Sequence, residues 1–323
     1  MRYRTLGRTG IEVSELGYGA WGIGQTMWVG ADDGESLQAL RRAFELGVTF
    51  VDTALAYGNG HSEELVGRSV REAAETVRVA TKMPPKNMQW PAQAGVRAEE
   101  AFPADWVVSC TERSLRNLGL DTIDVQQMHV WSDEWVDQGD WLEAIERLKA
   151  DGKIRFFGVS INDHEPANAI RLVESGLVDT VQVIYNIFDQ SPEDELFAAA
   201  QEANVGVIVR VPFDEGALTG RVTPDTEFPE GDFRNEYFGG DRKVEVWERV
   251  QAIARGLAIA TPELPEYALR FCLSHPAVST VIAGMRTVRN VESNAAAVDN
   301  GPLSERELET LRGHRWLRSY YAA

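Results

Sequence analysis

The feature that most constrains this chain is a regular alternation of short apolar segments with longer amphipathic segments. The apolar runs, such as those ending near Asp52 and Lys82, predict buried strands, and the segments between them carry apolar residues at helical spacing. Strands that alternate with helices pair in parallel. Eight such units in 323 residues, without an obvious linker, predict one closed (β/α)8 TIM-barrel domain over residues 1–323. An open doubly wound sheet is the alternative.

The predicted elements also include features outside the eight units. A hairpin, YRTLG then IEVSELG, precedes the barrel, and the helix SERELETLRGHRW closes the chain. Two long loops, one holding Pro84 to Pro91 and one running from Pro212 to about Gly240, follow strands and therefore overhang the same face. The predicted barrel strands, in chain order, are LGYGAW, TFVDTA, VRVATK, TIDVQQMHV, RFFGVS, TVQVIYN, VGVIVRV and VSTVIAG.

Composition and charge exclude several classes of partner. The chain is 44% apolar and 25% charged, as is typical of globular proteins, and its net charge is −18. This acidity argues against nucleic acid and anionic membranes as partners, because phosphate groups would be repelled. The sequence has no hydrophobic signal core and no membrane-length apolar run, and we interpret Cys110 and Cys272 as reduced thiols. These observations predict a cytoplasmic protein.

One glycine motif has two interpretations. Gly17, Gly19 and Gly22 match the G-x-G-x-x-G pattern, which in a dinucleotide-binding fold opens a helix. The residues that follow, GIGQTMWVGADDG, are too rich in glycine to form one. We therefore interpret the motif as a strand end that a ligand approaches closely. Spacings typical of zinc sites, phosphate loops and serine hydrolases are missing from the sequence, so no metal is predicted.

Four residues at or just beyond predicted strand ends suggest a reaction. Barrel enzymes gather their chemistry at the C-terminal ends of strands, and Asp52, Tyr57, Lys82 and His129 fall there. A lysine ammonium stabilises a phenolate, a carboxylate holds the lysine charged, and a histidine orients a carbonyl oxygen. This set predicts an acid that protonates an oxygen while hydride reaches carbon. Because side chains do not deliver hydride, the set implies a nicotinamide cofactor.

Each of these residues also has an ordinary structural interpretation. The Asp52–Lys82 pair serves equally as a buried ion pair, Tyr57 as a rim aromatic and His129 as a core histidine. The neutral hydrogen-bonding groups near the next strand ends suit a nicotinamide carboxamide, but they also suit strand-end capping. These groups are Ser160, Asn162 and Gln182.

The motifs that hold these residues resemble the aldo-keto reductase superfamily over nearly the whole chain. The DTAxxYG motif is the most specific, and the resemblance implies a (β/α)8 barrel with NADPH across its C-terminal face. It further implies a catalytic tetrad of Asp52, Tyr57, Lys82 and His129, with Tyr57 as general acid. The motifs that carry the resemblance are Asp52-Thr-Ala-x-x-Tyr57-Gly58, Ala80-Thr81-Lys82, Gln127-x-His129, Gly158-Val159-Ser160 and Gly284…Glu292-x-Asn294.

The resemblance also assigns cofactor contacts. A guanidinium suits the 2′-phosphate of NADPH, although the two candidate arginines also fit a solvated helix start. The implied contacts are Gly19, Ala20 and Trp21 along the cofactor, Ser160 and Gln182 at its carboxamide, Gly284 to Asn294 around the adenosine phosphate, Arg286 or Arg289 at the 2′-phosphate, and Asn290 and Asn294 on the adenine side.

The chain departs from the family pattern at two strands. The amide that normally follows Ser160 directly comes one residue later, at Asn162, and a shift of one residue reverses side-chain direction on a strand. Arg210 occupies the position of an aromatic residue that stacks on the nicotinamide. Its charge is expected to favour NADPH over cationic NADP⁺. Alternatively, Arg210 turns to pair with Asp214 or Glu215.

The sequence therefore predicts NADPH-dependent reduction of an aldehyde or ketone, with a small-molecule carbonyl as substrate. Two other functions remain open: a cofactor-binding regulatory subunit resembling potassium-channel β subunits, and an aldolase or lyase using Lys82 as a Schiff-base amine. The oligomeric state is not predicted. The aromatic residues expected to form the pocket wall, or to pack in the core or a lid, are Trp28, Trp90, Trp131 and Phe213.

Overall fold

A computed structural model describes residues 1–317. The terminal residues Arg318, Tyr320 and Tyr321, which the sequence suggested as a cover over the pocket or a contact with a neighbour, lie outside this range. The strands are β1 (Tyr3–Thr5), β2 (Glu12–Ser14), β3 (Leu16–Gly19), β4 (Phe50–Asp52), β5 (Arg78–Met83), β6 (Ile123–Met128), β7 (Ile154–Ser160), β8 (Thr180–Ile184), β9 (Gly206–Arg210) and β10 (Val278–Gly284).

The α-helices lie between the strands along the chain, within the long loops and after β10. They are α1 (Asp33–Glu45), α2 (His61–Glu72), α3 (Ala98–Ala101), α4 (Ala104–Leu118), α5 (Trp141–Ala150), α6 (Ile170–Ser175), α7 (Leu196–Glu202), α8 (Arg234–Tyr237), α9 (Arg242–Leu257), α10 (Leu264–Ser274), α11 (Val288–Asp299) and α12 (Glu305–Arg312). No helix within residues 1–317 has both the length and the apolar character that crossing a membrane requires.

Strands β3 to β10 form a closed parallel barrel, which confirms the predicted fold class. Each strand pairs with the next, and β10 closes the barrel on β3. The register sets Gly19 beside both Asp52 and Gly284, Lys82 beside Gln127, and Ser160 beside Gln182. The predicted site residues on neighbouring strands therefore reach the same height.

The predicted hairpin, β1 and β2, lies beneath the barrel and helps to fill its floor. Hairpin residues such as Leu6 and Val13 join a buried apolar cluster with one residue from each of several barrel strands. The strand residues of this cluster are Phe50 (β4), Ala80 (β5), Val125 (β6), Ile208 (β9) and Ile282 (β10).

The alternation of side chains along a strand shows which residues lie above this apolar floor. Side chains two residues apart on a strand point the same way, so the residue two after each floor residue also faces the barrel interior. Those residues are Asp52, Lys82, Gln127, Arg210 and Gly284. The barrel thus carries a polar layer directly above an apolar layer, where ion pairs are screened less than in water.

A serine near the start of a helix commonly caps it. In α2, however, Gly60, with φ 105°, stands at the N-cap position, and Ser62 lies in the first turn. The Ser62 hydroxyl instead donates to the carbonyl oxygen of Ala20 at 2.8 Å and bonds the Thr53 hydroxyl. Ser62 therefore joins β3 and the loop after β4, just beneath the site. Cys110 and Cys272 are buried and unbridged, as predicted.

Candidate active site

The four predicted catalytic residues come together at the C-terminal end of the barrel. Asp52 ends β4, Lys82 lies near the end of β5, and His129 directly follows β6. Tyr57 begins a short 3-10 segment beyond β4, in which Gly58 and Asn59 adopt positive φ angles. A Cβ at Gly58 would lie far too close to the Gly24 carbonyl, so this glycine allows the loop to hold Tyr57 over the strand ends.

Lys82 lies between the acid and the phenol. Its Nζ forms an ion pair with Asp52 Oδ1 and donates to the Thr53 carbonyl oxygen at 2.9 Å and to the Tyr57 hydroxyl at 3.2 Å. Asp52 and Lys82 are 1% and 0% exposed, so this is a buried pair with all three ammonium protons directed at oxygens. A charged lysine at this depth requires such partners.

The electrostatics keep Lys82 charged and Tyr57 protonated. Burial lowers the pKa of Lys82, but Asp52 and Tyr57 outweigh it, so that pKa lies above its usual value. Burial raises the pKa of Tyr57 and exceeds the opposing effect of Lys82. The lysine thus lowers the pKa of the phenol, as predicted, but burial has the larger effect and keeps that pKa above its usual value.

The second carboxylate oxygen of Asp52 is held by two glutamines. Gln127 Nε2 donates to Oδ2 at 3.0 Å and Gln182 Nε2 donates to the same atom at 2.9 Å. Gln182 Nε2 also lies 3.2 Å from Gln127 Oε1. The role of Gln127 was not predicted, although its position two residues after the inward-facing Val125 is a usable signal.

His129 is a neutral imidazole beside the phenol. Its ring lies 5.6 Å from the ring of Tyr57 and 5.9 Å from that of Trp90. Burial, Lys82 and Arg210 all lower the pKa of His129 well below its usual value. Its Nδ1 is buried and has no hydrogen-bond partner among residues 1–317.

A cavity of about 970 Å³ opens directly above these residues. Asp52, Tyr57 and His129 reach its wall, while Lys82 lies beneath it. The predicted cofactor contacts that line the wall are Gly19, Ala20, Trp21, Ser160, Asn162, Gln182, Arg210, Gly284, Arg286 and Asn290.

The two remaining predicted contacts do not line this wall. Arg289 is exposed, and Asn294 is 6% exposed within α11. Arg286 lies on the cavity wall in the turn between β10 and α11, whereas Arg289 lies within α11 at an exposed position. Of the two arginines considered for the 2′-phosphate, Arg286 is therefore the better placed.

Arg286 has a second cation near it that was not predicted. The guanidinium carbons of Arg286 and Arg234 lie 5.4 Å and 4.1 Å from the Trp28 ring centroid. Asp232 accepts from Arg234, whereas Arg286 donates to the Val29 carbonyl oxygen at 3.2 Å. Burial, with a smaller effect of Arg234, lowers the pKa of Arg286. Because Asp232 neutralises Arg234, Arg286, which forms no ion pair among residues 1–317, is the cation that this corner offers.

Arg210 lies on the cavity wall with a partner that was not predicted. Its guanidinium donates to the Ile161 carbonyl oxygen at 3.0 Å and pairs with the carboxylate of Asp163. It remains close enough to the tetrad to lower the pKa values of both Tyr57 and His129.

Asn162 ties a loop to the barrel. Its Oδ1 accepts from Ala92 N at 3.1 Å, and its Nδ2 donates to Ala92 O at 3.3 Å and to Glu165 at 3.0 Å. The one-residue displacement noted in the sequence thus places this amide where it anchors the proline-rich loop.

The four aromatic residues expected at the pocket wall or in the core divide between these two places. Trp28, Trp90 and Phe213 line the cavity, but Trp131 is fully buried. Its ring packs against Trp135 and Trp141 beneath the loops, so Trp131 takes the core-packing role that the sequence left open. The direction of this loop side chain depends on tertiary packing that the local sequence does not specify.

The fold and the site together define a barrel oxidoreductase. A closed parallel barrel with a Tyr–Lys–Asp cluster and a neutral histidine beside a large cavity suits proton transfer to a bound carbonyl. The model of the Aldo/keto reductase family matches residues 15–315, so the chain belongs to the aldo-keto reductase family. This confirms the predicted family, whose members are oxidoreductases that use nicotinamide cofactors.

Relatives and solved structures agree with this membership. Aldo-keto reductase YhdN of Bacillus subtilis (strain 168) is 36% identical over 239 residues, which cover 73% of this chain and 69% of that protein. NADH-specific methylglyoxal reductase of Escherichia coli (strain K12) is 27% identical over 327 residues, covering 97% of this chain and 98% of that protein. The holo form of aldo-keto reductase AKR11C1 from Bacillus halodurans has a TM-score of 0.76 at 28% identity, covering 100% of this chain and 99% of that one.

Proposed function

We propose that this protein reduces an aldehyde or ketone to an alcohol with NADPH, using Tyr57 as the general acid. The observation that carries the proposal is the position of Lys82 Nζ, which contacts both the Asp52 carboxylate and the Tyr57 hydroxyl at the base of the cavity. A proton donor, a charged stabilising group and a space for substrate therefore meet at one point.

The donor and acceptor groups of the cavity fit a nicotinamide cofactor. Gln182 Oε1 is buried without a hydrogen-bond partner among residues 1–317, and such an acceptor suits the NH₂ of a carboxamide. Ser160 offers a hydroxyl on the neighbouring strand. The wall continues past Gly19, where a Cβ would come within 3.0 Å of the Ile282 carbonyl oxygen, to Arg286. The same cavity thus offers groups for both ends of an extended dinucleotide.

The preference for NADPH rests on Arg286, which lies on the cavity wall beside the ion-paired Arg234. A guanidinium binds a phosphate through charge-assisted hydrogen bonds, and the partly buried Arg286 is less screened than a surface charge. NADH, which lacks the 2′-phosphate, gains nothing from this charge. The E. coli relative named as NADH-specific makes this choice of cofactor a point to measure.

The proposed mechanism assigns one task to each residue. A reduced nicotinamide, when bound along this wall, would supply the hydride that reduces the carbonyl carbon. Tyr57 gives its proton to the carbonyl oxygen, and the Lys82 ammonium, 3.2 Å from the phenol oxygen, stabilises the negative charge left on the phenol. Asp52 keeps Lys82 charged and in place. His129, neutral because of burial and nearby cations, orients the carbonyl oxygen.

Two other functions that the sequence left open are less well supported. Lys82 pairs with Asp52 and has a raised pKa, whereas a Schiff-base lysine needs a lowered one. The regulatory role resembling potassium-channel β subunits is not favoured, because the relatives named above are reductases.

The test is consumption of reduced cofactor with a panel that includes benzaldehyde and methylglyoxal, using NADPH and NADH in parallel. We expect aldehyde-dependent oxidation of the reduced cofactor, with a lower KM for NADPH than for NADH. Arg286→Leu is expected to raise the KM for NADPH by about 10- to 100-fold, as loss of a charge-assisted phosphate contact does, while leaving NADH almost unchanged. The exposed Arg289→Leu is the matched control. Tight cofactor binding without any turnover would contradict the proposal.

A further inference from the structure

Gln127 is a buried amide beneath the cavity with no role assigned to it by the mechanism above. It is 0% exposed, faces Lys82 across the β5–β6 pair, and is not among the wall residues. It therefore does not contact a ligand in the cavity. Its side chain nevertheless contacts Asp52 and Gln182, which both reach the wall.

The hydrogen bonds allow only one orientation of each amide. A carboxylate accepts hydrogen bonds and cannot donate them, so the groups facing Asp52 Oδ2 must be the NH₂ groups of Gln127 and Gln182. Gln127 Oε1 then accepts the second proton of Gln182 Nε2. Rotating the Gln127 amide by 180° would set its oxygen against the carboxylate and its NH₂ against another NH₂.

This arrangement fixes which polar atom of Gln182, a residue of the cavity wall, is left without a partner among residues 1–317. With its nitrogen turned toward Asp52 and Gln127, its Oε1 is left as a buried acceptor without a partner among residues 1–317. An unpaired buried acceptor is costly, and a ligand that donates a hydrogen bond relieves the cost. Gln182 is thus set to recognise a donor and to reject an acceptor.

The barrel also makes room for the Gln127 side chain. A Cβ at Gly158 of β7 would lie 3.1 Å from Gln127 Cγ and closer still to the Thr180 hydroxyl. The interior at this height is filled by Gln127 and Thr180, and Gly158 is small enough to permit both. The charged groups facing position 127 are Asp52 from β4 and Lys82 from β5, while β7 and β8 contribute the uncharged Gly158 and Gln182.

We propose that Gln127 is a positioning residue that couples the two halves of the site, holding the Asp52 carboxylate against Lys82 while turning Gln182 so that its oxygen receives the cofactor carboxamide. The inference rests on the proposed function and adds to it a link between cofactor recognition and the proton donor. Loss of Gln127 weakens both: the Asp52 carboxylate loses a donor, and the Gln182 amide loses one of the two contacts that orient it, keeping only its bond to Asp52.

The chain contains a matched control on the same strand. Gln126 is also 0% exposed but points away from the barrel interior, and neither of its side-chain polar atoms has a partner among residues 1–317. Gln126→Leu therefore makes the same chemical change one residue away without touching the network. Gln127→Leu removes the hydrogen bonds of the network. Gln127→Glu keeps the shape of the side chain, but its carboxyl can donate a hydrogen bond to Asp52 only when it is protonated.

The test measures kcat/KM from pH 5.5 to 8.5 and the dissociation constant of NADPH by protein fluorescence in the four proteins. We expect Gln127→Leu to lower kcat/KM by about 10- to 100-fold at every pH, as loss of a hydrogen bond to a charged group does, and to weaken NADPH binding. Gln126→Leu is expected to match wild type. In Gln127→Glu the introduced carboxyl donates to Asp52 when protonated, so activity is retained at low pH. It then falls relative to wild type as the pH rises and two carboxylates face each other.

The outcomes separate the inference from the proposed function. If wild type does not turn over aldehydes, the proposed function fails and the coupling fails with it. If wild type is active but Gln127→Glu keeps a constant ratio to wild type across the pH range, Gln127 does not act on Asp52 and the inference is overturned. The same holds if Gln127→Leu matches Gln126→Leu. Should Gln127→Leu fail to fold, the isosteric Gln127→Glu still decides the question.

Discussion

The buried pair of Asp52 and Lys82 allows a double-mutant cycle whose outcome follows from the contacts. Asp52→Asn removes the counter-charge of an ammonium that is 0% exposed. Breaking a buried ion pair by removing one partner costs about 3–5 kcal/mol, because the remaining charge is left uncompensated. At about 2.1 cal/mol/K of unfolding entropy per residue over 323 residues, this corresponds to a fall in Tm of about 4–7 °C.

The reverse substitution is expected to cost less. In Lys82→Met the carboxylate of Asp52 keeps the amide donors of Gln127 and Gln182, so it is not left without partners. The double variant Asp52→Asn/Lys82→Met has no unpaired charge and is expected to be more stable than Asp52→Asn alone.

Thermal unfolding of the four proteins without cofactor, followed by circular dichroism and calorimetry, measures the cycle. We expect the two single effects to exceed the double effect by more than about 1 kcal/mol, which is the range found for residues in direct contact. Additive effects would show that the two side chains do not interact, and the reasoning about the charged lysine would then be refuted.

Other predictions concern groups on the cavity wall. Burial, with Asp214 and Asp163 nearby, raises the pKa of Glu215 to about 8. The wild-type protein therefore loses stability as the pH rises from the ordinary glutamate range through about 8. The Tm of Glu215→Gln should rise relative to that of wild type across this interval. An equal Tm difference between the two proteins at pH 5 and pH 9 would contradict this. Because Arg210 carries a charge beside the tetrad, Arg210→Tyr should bring the dissociation constants of NADPH and NADP⁺ closer together, and fluorescence titrations showing an unchanged ratio would reject the idea.

The barrel and the meeting of the four tetrad residues could be predicted from local signals. The alternation of strands and helices determines a parallel closed sheet, and residues at the ends of parallel strands share one edge. Asp52 and Lys82 each follow an apolar inward-facing residue by two positions, which is sufficient to bring their side chains together.

The partners of individual side chains could not be predicted in the same way. Arg210 finds Asp163, and Arg234 reaches the Trp28 ring beside Arg286, through loops whose paths depend on distant contacts. The fully buried position of Trp131 depends on the aromatic residues that pack around it. Hydrogen-bond direction is also a property of the assembled network, as Gln182 illustrates: its residue type suits a carboxamide, but only its contacts with Asp52 and Gln127 decide which end it offers.

The most direct test of the central claim is Tyr57→Phe, which removes the hydroxyl that contacts Lys82 while keeping the ring that packs near Trp21 and His129. Single-turnover oxidation of bound NADPH by benzaldehyde should be measured together with the NADPH dissociation constant. General acid catalysis contributes about 10²- to 10⁴-fold, so the account predicts a fall in rate of that size with cofactor affinity nearly unchanged. A rate within about threefold of wild type would contradict the assignment of Tyr57 as the proton donor.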